Sequence, residues 1–264
     1  MKMKLITSKE NKEFKYLSKL YKYFGKKDKV IIEGLRLCSL WLDNYGLPEK
    51  IIINNDHIHN QQITNIINNK NIKNILLINN QLMNILINSK GTYNKDIIFI
   101  VNKPKPEFLG NRIDDNCVIL ENIQDPGNVG NIIRTCAAVG IKKIFLNDKC
   151  ATPWSSKVLK SSQGAHFFID IYENSDLNNI INILNIPLIS TSLIKNSMNL
   201  YDTKLPKICA WLFGNEGNGI SHEMNLKANL IISIKHNNID SLNVTSAAAI
   251  CLFEHRRQFY LYNK

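Results

Sequence analysis

The segment "CVILENIQDPGNVGNIIRTCAAVGIKKIFLND", residues 117–148, predicts a strand, a helix and a second strand in succession. An apolar run opens the segment, and the Asp-Pro-Gly sequence at 125–127 supplies a tight turn. Asn128, a residue type favoured at helix N-caps, then precedes a run with helical periodicity. A strand, tight turn and helix in this order predict an α/β domain.

The same alternation continues to the end of the chain. Apolar strands are predicted at "HFFIDIY", "IPLIST", "ICAWLFG" and "LIISIKH", with helices between them and a last helix in "SAAAICLFEHRRQFYL". Near-continuous apolar strands predict a mostly parallel sheet that helices cover on both faces. In such sheets ligands bind beyond the carboxyl ends of the strands.

The charge balance favours a polyanionic partner. The chain of 264 residues has 33 Lys and Arg against 22 Asp and Glu, a net charge of +11, which suits nucleic acid or an acidic membrane face. A merely basic enzyme is the alternative. Membrane spans and a signal peptide are not expected, since no apolar run reaches the ~18 residues that a span needs, so we expect a cytoplasmic protein.

Six cysteines and six histidines are scattered along the chain without the spacing of a zinc site. Several of the cysteines lie inside apolar runs, as reduced and buried thiols do. We therefore expect no metal.

The amino-terminal part predicts a separate, smaller α/β domain. Short strands and helices alternate over about a hundred residues, and the segment 101–116, "VNKPKPEFLGNRIDDN", has the composition of a linker. We place the domains at 1–105 and 106–264. The helix predicted in "NKEFKYLSKLYKYFGKK" has lysines on one face, which indicates either a solvated surface or an RNA contact; these are Lys12, Lys15, Lys19, Lys22 and Lys26.

Three polar stretches fall where strands of the carboxyl-terminal domain end. The first is the turn at 125–128, where unpaired N–H groups at the helix start favour an anion. An ordinary strand-to-helix connection explains the turn and the cap, but it does not explain Arg134 in an apolar segment. Because an unpartnered arginine is costly to bury, we expect Arg134 to face a groove and a phosphate or carboxylate.

The second and third stretches are weaker when each is taken alone. "WLFGNEGNGIS", residues 211–221, has three glycines that let a ligand approach the backbone, but a plain turn would look the same. It lacks the lysine of a phosphate-binding P-loop and the spacing of the dinucleotide fingerprint. "DSLNVTSAAAICLFE", residues 240–254, places Ser and Asn before an alanine-rich helix, where simple capping is the alternative.

Together and in this order, the three stretches resemble the motifs of the SpoU family, also called TrmH-like, of RNA ribose 2′-O-methyltransferases. The resemblance covers residues 117–264, and "ITSKENKEFKYLSKL" with "VIIEGLRL" resembles the amino-terminal RNA-binding domain of rRNA-modifying members. It implies a SPOUT-type fold with a trefoil knot, S-adenosyl-L-methionine as cofactor and a homodimer. Large-subunit rRNA is the expected substrate.

The resemblance also implies functional residues at matching positions. The catalytic and structural polar set comprises Asn128, Arg134, Glu216, Ser241 and Asn243. The cofactor pocket comprises Thr191, Gly214, Ile234 and Leu242. One departure is that Lys235 and His236 follow Ile234 where the family usually has Pro and Met, and the spacing to Ser241 is one residue short.

The family's arginine has been proposed as a general base after contact with an RNA phosphate. A guanidinium stays protonated in proteins, so we assign Arg134 to gripping the phosphate beside the target ribose. Glu216 is expected to brace the loops, and Asn128 to orient the arginine or the ribose. A tRNA methyltransferase, a noncatalytic RNA-binding or ribosome-assembly protein, and a dinucleotide-binding enzyme are the alternative functions.

Overall fold

A computed structural model describes residues 2–22, 28–68, 72, 74–87, 96–107 and 110–260. The chain divides into two compact units, which are Met1–Pro104 with Trp154–Ser156, and Lys105–Pro153 with Lys157–Lys264. Within the described ranges, no helix is both long and apolar enough to cross a bilayer.

The first unit is built on a five-stranded mixed sheet. Its strands are β1 (Lys2–Ile6), β2 (Lys29–Glu33), β3 (Lys50–Asn54), β4 (Asn74–Ile78) and β5 (Ile97–Asn102). Its helices are α1 (Lys12–Lys22), α2 (Leu35–Tyr45), α3 (Gln61–Ile67) and α4 (Asn80–Ile87). The strand order is β1-β4-β3-β5-β2, in which β5 runs antiparallel to both of its neighbours and the other pairs are parallel. The smaller α/β domain predicted from the sequence is confirmed.

Helix α1 is amphipathic, as its sequence predicts. Phe14 and Leu17 are buried in a cluster with Ile6 and Met83, because they recur on one face of the helix. The lysines of the opposite face that the structure describes are exposed, namely Lys12, Lys15, Lys19 and Lys22. Lys26 lies outside the described residues.

Two parts of this unit were not predicted from the sequence. Strand β1 alternates lysine with apolar residues, and it pairs with β4 alone. β1 is an edge strand, so one of its sides has no neighbouring strand. Lysines on such a strand discourage pairing with another chain. Helices α3 and α4 lie within a tract rich in Asn and Ile, where Asn60 caps α3 by accepting hydrogen bonds from two backbone N–H groups.

The second unit contains a seven-stranded sheet in which every pair is parallel. Its strands are β6 (Cys117–Leu120), β7 (Lys143–Leu146), β8 (Asp170–Tyr172), β9 (Leu188–Thr191), β10 (Met198–Asn199), β11 (Ala210–Phe213) and β12 (Leu230–Ser233). Its helices are α5 (Pro126–Val139), α6 (Ser156–Ser162), α7 (Leu177–Asn182), α8 (His222–Lys227) and α9 (Val244–Tyr260). The order is β10-β12-β9-β11-β6-β7-β8. The predicted parallel α/β sheet is confirmed.

Helices cover both faces of this sheet. Alternate residues of β6 and β11 belong to two separate apolar clusters, so that Val118 and Trp211 face α5 and α9 while Ile119 and Leu212 face α7 and α8. All four residues of each strand are buried. This double burial explains the near-continuous apolar runs in the sequence.

The predicted strand "HFFIDIY" is wrong over its first half. Ala165–Phe168 form a 3₁₀ turn after Gly164, which has a φ of 89°, and only Asp170–Tyr172 form β8. The turn is held because the buried His166 ring contacts the Ser162 hydroxyl at 2.6 Å and the Pro153 carbonyl at 2.7 Å. These long-range contacts outweigh the apolar strand pattern.

Candidate active site

The polar stretches gather at the carboxyl edge of the parallel sheet. From the interior strand β6 the chain adds β7 and β8 on one side and then returns to place β9 and β11 on the other. The strand order therefore reverses between β6 and β11, which is where α/β sheets bind ligands. The loops after β6, β9, β11 and β12 supply the residues described below.

The helix after β6 is capped by Asp125 and not by Asn128, so the predicted cap is wrong. The Asp125 carboxylate accepts a hydrogen bond from the Asn128 N–H at 2.9 Å, and Pro126 occupies the first helical turn. Proline fits there because the backbone N–H groups of the first turn have no acceptor within the helix. The N–H that proline lacks therefore costs the helix no hydrogen bond. The side chain of Asn128 is consequently left to contact other loops.

Asn128 joins three loops that are distant in sequence. Its Nδ2 donates to Glu216 Oε1 at 2.7 Å, and its Oδ1 lies 3.5 Å from the Nδ2 donor of Asn243. Asn243 in turn caps α9, since its Oδ1 accepts from the Thr245 N–H at 2.8 Å. Helix capping, the alternative explanation for this stretch of the sequence, therefore applies to Asn243. The same side chain also contacts Asn128.

The glycine-rich loop after β11 is closed on itself. Asn215 and Gly219 exchange two backbone hydrogen bonds, of 3.0 and 2.9 Å, and Gly219 has a φ of 66° that favours glycine. A Cβ on Gly214 would lie 2.4 Å from the backbone of Gly219 and Ile220. Only a glycine at 214 therefore allows this turn without displacing backbone.

A second polar network, which the sequence did not reveal, fixes that loop to the end of β6. Asn215 Oδ1 accepts from the N–H of Gly217 at 2.9 Å, and its Nδ2 donates to the Asn122 carbonyl at 2.9 Å. Asn122 has a φ of 58°, and Asn147 bonds both its N–H and its side chain, at 3.0 and 2.7 Å. Asparagine tolerates this left-handed conformation better than most residues. The three asparagines could have indicated this network. They do not stand out, however, because Asn is common throughout the sequence.

A cysteine borders this network without being a nucleophile. Cys150 Sγ accepts a hydrogen bond from the Ile123 N–H at 3.3 Å. Burial raises the pKa of Cys150 to about 11, so the thiol stays protonated at neutral pH. It supports the loop by packing and hydrogen bonding.

The loops enclose a cavity of about 290 Å³. Six of the residues named from the sequence line it, namely Thr191, Gly214, Glu216, Ile234, Ser241 and Leu242. The wall is otherwise made of small or apolar groups together with the glycine-rich loop, and it also includes His236. An apolar cavity with a few polar groups is typical of a small-molecule site.

Arg134 is not brought to this cavity. It lies six residues after Asn128 on α5, about 9 Å along the helix axis, and its side chain is exposed. Among the described residues we find no hydrogen bond or ion pair for its guanidinium. Arg134 is exposed although its neighbour Ile133 is buried, because a helix turns about 100° per residue. That it faces a phosphate or carboxylate stays a prediction.

The SpoU rRNA Methylase family model matches residues 115–253, just over half of the chain. The chain belongs to this family. The matched segment contains every residue of the cavity wall described above.

Curated relatives align with slightly more than half of the chain. The 23S rRNA (guanosine(2553)-2′-O)-methyltransferase RlmP of Bacillus subtilis is 30% identical over 151 residues, 53% of this chain and 57% of that protein. The tRNA (guanosine(18)-2′-O)-methyltransferase of Thermus thermophilus is 32% identical over 157 residues, 58% of this chain and 79% of that protein. The chain spans 53% to 64% of the length of three such relatives, including the Bacillus protein.

A solved structure shares the fold of both units. The AdoMet-bound rRNA methyltransferase from Sinorhizobium meliloti superposes with a TM-score of 0.82 and 23% identity, covering 97% of this chain and 98% of that one. The two chains thus share a fold over nearly their whole length. Within the described part of the chain, no three His, Cys, Asp or Glu residues form a group suited to a metal ion.

Proposed function

We propose that this chain transfers a methyl group from S-adenosyl-L-methionine to a ribose 2′-hydroxyl of RNA. The observation that carries the proposal is the hydrogen-bonded junction of Asn128, Glu216 and Asn243 beside the cavity at the carboxyl edge of the sheet. The names of the Bacillus and Thermus relatives, both 2′-O-methyltransferases, support it.

The cavity suits an adenosine-sized ligand. A Cβ at Gly214 would collide with the backbone of Gly219 and Ile220, so the glycine allows the loop that lines the cavity to close on itself. Ile234 and Leu242 add apolar surface on the opposite loop, and Thr191 Oγ1 is held by the Leu212 carbonyl at 3.2 Å. We assign the cofactor to these residues. When bound, S-adenosylmethionine would supply an electrophilic methyl carbon on its sulfonium; transfer to the ribose oxygen would break the methyl–sulfur bond, release S-adenosylhomocysteine and free the hydroxyl proton.

The junction residues position the acceptor. Asn128 is fixed between Glu216 and Asn243, so the amide has a defined orientation. Glu216 braces the glycine-rich loop against α5. Ser241 and Asn243 shape the acceptor side of the cavity, and alignment of the two reactants is the larger part of catalysis here.

Residues 1–105 are proposed as the RNA-binding domain and residues 106–264 as the catalytic domain. Exposed lysines of α1 form a stripe with an RNA-compatible charge. Of these lysines, Lys15 is paired with Glu10, while no partner of Lys12, Lys19 or Lys22 is found among the described residues. We propose rRNA over tRNA, which the family description and the Bacillus relative support.

We further propose a homodimer, a trefoil knot at the carboxyl terminus and a cytoplasmic location. Phe253 on α9 is 50% exposed, and a second copy would cover such an apolar group. All six cysteines are free, as is usual in a reducing compartment. Sedimentation of the purified chain should give twice the monomer mass; a monomer at micromolar concentration contradicts the dimer.

The activity is tested with S-adenosylmethionine labelled in its methyl group. The full chain is incubated with ribosomal RNA that lacks its modifications, and the RNA is then hydrolysed with alkali. We expect the label in alkali-resistant dinucleotides, because a 2′-O-methyl group blocks cleavage of the adjacent phosphodiester. Label in mononucleotides, which indicates base methylation, contradicts the proposal. Asn128→Ala should lose most of the transfer.

A further inference from the structure

An imidazole lies in the cavity wall and has no role in the mechanism proposed above. His236 follows β12 in the segment that leads to α9, and it lines the cavity together with Ile234, Ser241 and Leu242. Its ring is half-buried. The ring Nδ1 lies 2.8 Å from the carbonyl oxygen of Ile234.

This contact fixes the tautomer of the neutral ring. Because a carbonyl oxygen can only accept, Nδ1 carries the hydrogen and Nε2 keeps its lone pair. Over the residues that the structure describes, no protein group is found within hydrogen-bonding distance of Nε2. His236 therefore has one acceptor available for a bound molecule.

His236 is also one of two titratable residues that line the cavity. The other is Glu216, whose carboxylate accepts from Asn128 at 2.7 Å and approaches Asn215 at 3.5 Å. The segment of His236 itself has Lys235 and Asp240, both exposed. The remaining elements around the cavity contribute uncharged residues, namely Thr191, Ser192 and Leu193 after β9 and Val244 and Ala247 on α9. A proton on His236 would thus change the charge of the wall directly.

We propose that His236 is a ligand-binding residue whose protonation makes the cavity discriminate against a cationic sulfonium donor. The neutral ring offers Nε2 as an acceptor to a hydroxyl or amino group of the bound adenosine. Protonation removes this acceptor and adds a positive charge beside the sulfonium. The inference rests on the proposed function, since it takes S-adenosylmethionine as the ligand.

Two ligands that differ in charge separate this effect from general effects of pH. S-adenosylmethionine carries the sulfonium, and S-adenosylhomocysteine is the neutral thioether with the same amino and carboxylate groups. Titration of those shared groups cancels in the ratio of the two dissociation constants. Calorimetric titrations of the full chain are run over about pH 5 to 8, the range in which histidines change charge.

We expect the ratio of the dissociation constant of S-adenosylmethionine to that of S-adenosylhomocysteine to rise about tenfold from about pH 8 to about pH 5.5, as two unit charges ~10 Å apart would produce. In His236→Gln, which cannot gain a charge, the ratio should stay constant. His222→Gln is the matched control, because His222 is exposed on α8 and does not line the cavity. It should behave as the wild type does.

The outcomes separate the two claims. A ratio that is independent of pH in the wild type, or one that changes equally in His236→Gln, overturns the role of His236 and leaves the cofactor assignment intact. If neither ligand binds the folded wild type at pH 8, the proposed function fails, and this inference fails with it.

Discussion

The glycine-rich loop of the site can close on itself because Gly214 has no Cβ. In Gly214→Ala the new carbon would lie 2.4 Å from the backbone of Gly219 and Ile220, so the loop has to move. Overpacking of this kind costs ~1–3 kcal/mol. We expect a lower midpoint of thermal unfolding together with weaker binding of S-adenosylmethionine.

Gly217→Ala is the matched control for that substitution. Its Cβ would meet only the Asn215 side chain, at an ordinary distance of 3.5 Å. It should unfold as the wild type does, and it should bind S-adenosylmethionine more tightly than Gly214→Ala does. Equal effects from both alanines would show that the close approach at Gly214 is not the reason for its glycine.

Arg134 is an exposed cation on α5 whose proposed contact with an RNA phosphate can be tested by substitution. Because its side chain is exposed, Arg134→Ala should leave stability within about 0.5 kcal/mol. We expect binding of RNA to weaken by about tenfold, since a charge-assisted hydrogen bond to phosphate is lost, and binding of S-adenosylmethionine to be unchanged.

Arg134→Lys keeps the charge and loses the planar guanidinium, so it should recover part of the RNA affinity. Filter binding measures the affinity, and single-turnover assays measure the chemical step. If Lys restores most of the chemical rate while RNA binding is the same in all three proteins, phosphate gripping is the wrong role.

His166 predicts a dependence of stability on pH. Burial lowers the pKa of His166 from its ordinary value of 6.5 to about 4. Between these values the unfolded chain binds a proton that the folded chain does not, so the free energy of unfolding falls as the pH falls, by at most ~3 kcal/mol. Above pH 6.5 this contribution to stability is fully present.

Urea unfolding at several pH values measures that slope. His166→Gln should be less stable throughout, but its stability should fall less steeply between pH 6.5 and 4. Part of the slope should remain, because burial also lowers the pKa of His255. An unchanged slope in the variant would mean that another group controls the acid sensitivity.

At the scale of elements, the sequence predicts which loops form the site better than it predicts the hydrogen bonds between those loops. Turn residues and apolar runs placed the loops after β6 and β11 correctly, since those signals are local. The cap at Asp125 is local as well, because its carboxylate accepts from an N–H three residues on. The asparagine network around Asn122, by contrast, depends on which loops meet across the sheet. That information lies in the strand order, which no local pattern contains.

Helix α1 gives a prediction for RNA binding. Lys12→Gln with Lys19→Gln removes two exposed charges from one face of the helix. If both contact phosphate, the slope of log affinity against log salt should decrease by about 1.5. Lys204→Gln with Lys207→Gln changes the net charge equally from exposed positions in the other unit, and it should leave the slope nearly unchanged. Equal decreases would indicate a net-charge effect only.

At the scale of the whole molecule, family membership and geometry support the same function by separate routes. The family match covers the segment that holds the cavity. The hydrogen bonds among Asn128, Glu216 and Asn243 explain why motifs so far apart in sequence occur together. Composition alone predicted only a basic globular protein, and a net charge of +11 has many causes.

The central claim is that the cavity between these loops binds S-adenosylmethionine. Calorimetric titration of the full, folded chain tests it most directly. We predict saturable binding at one site per chain that Gly214→Ala weakens strongly and Gly217→Ala does not. Absence of binding by the folded wild type, with or without rRNA, would contradict the claim.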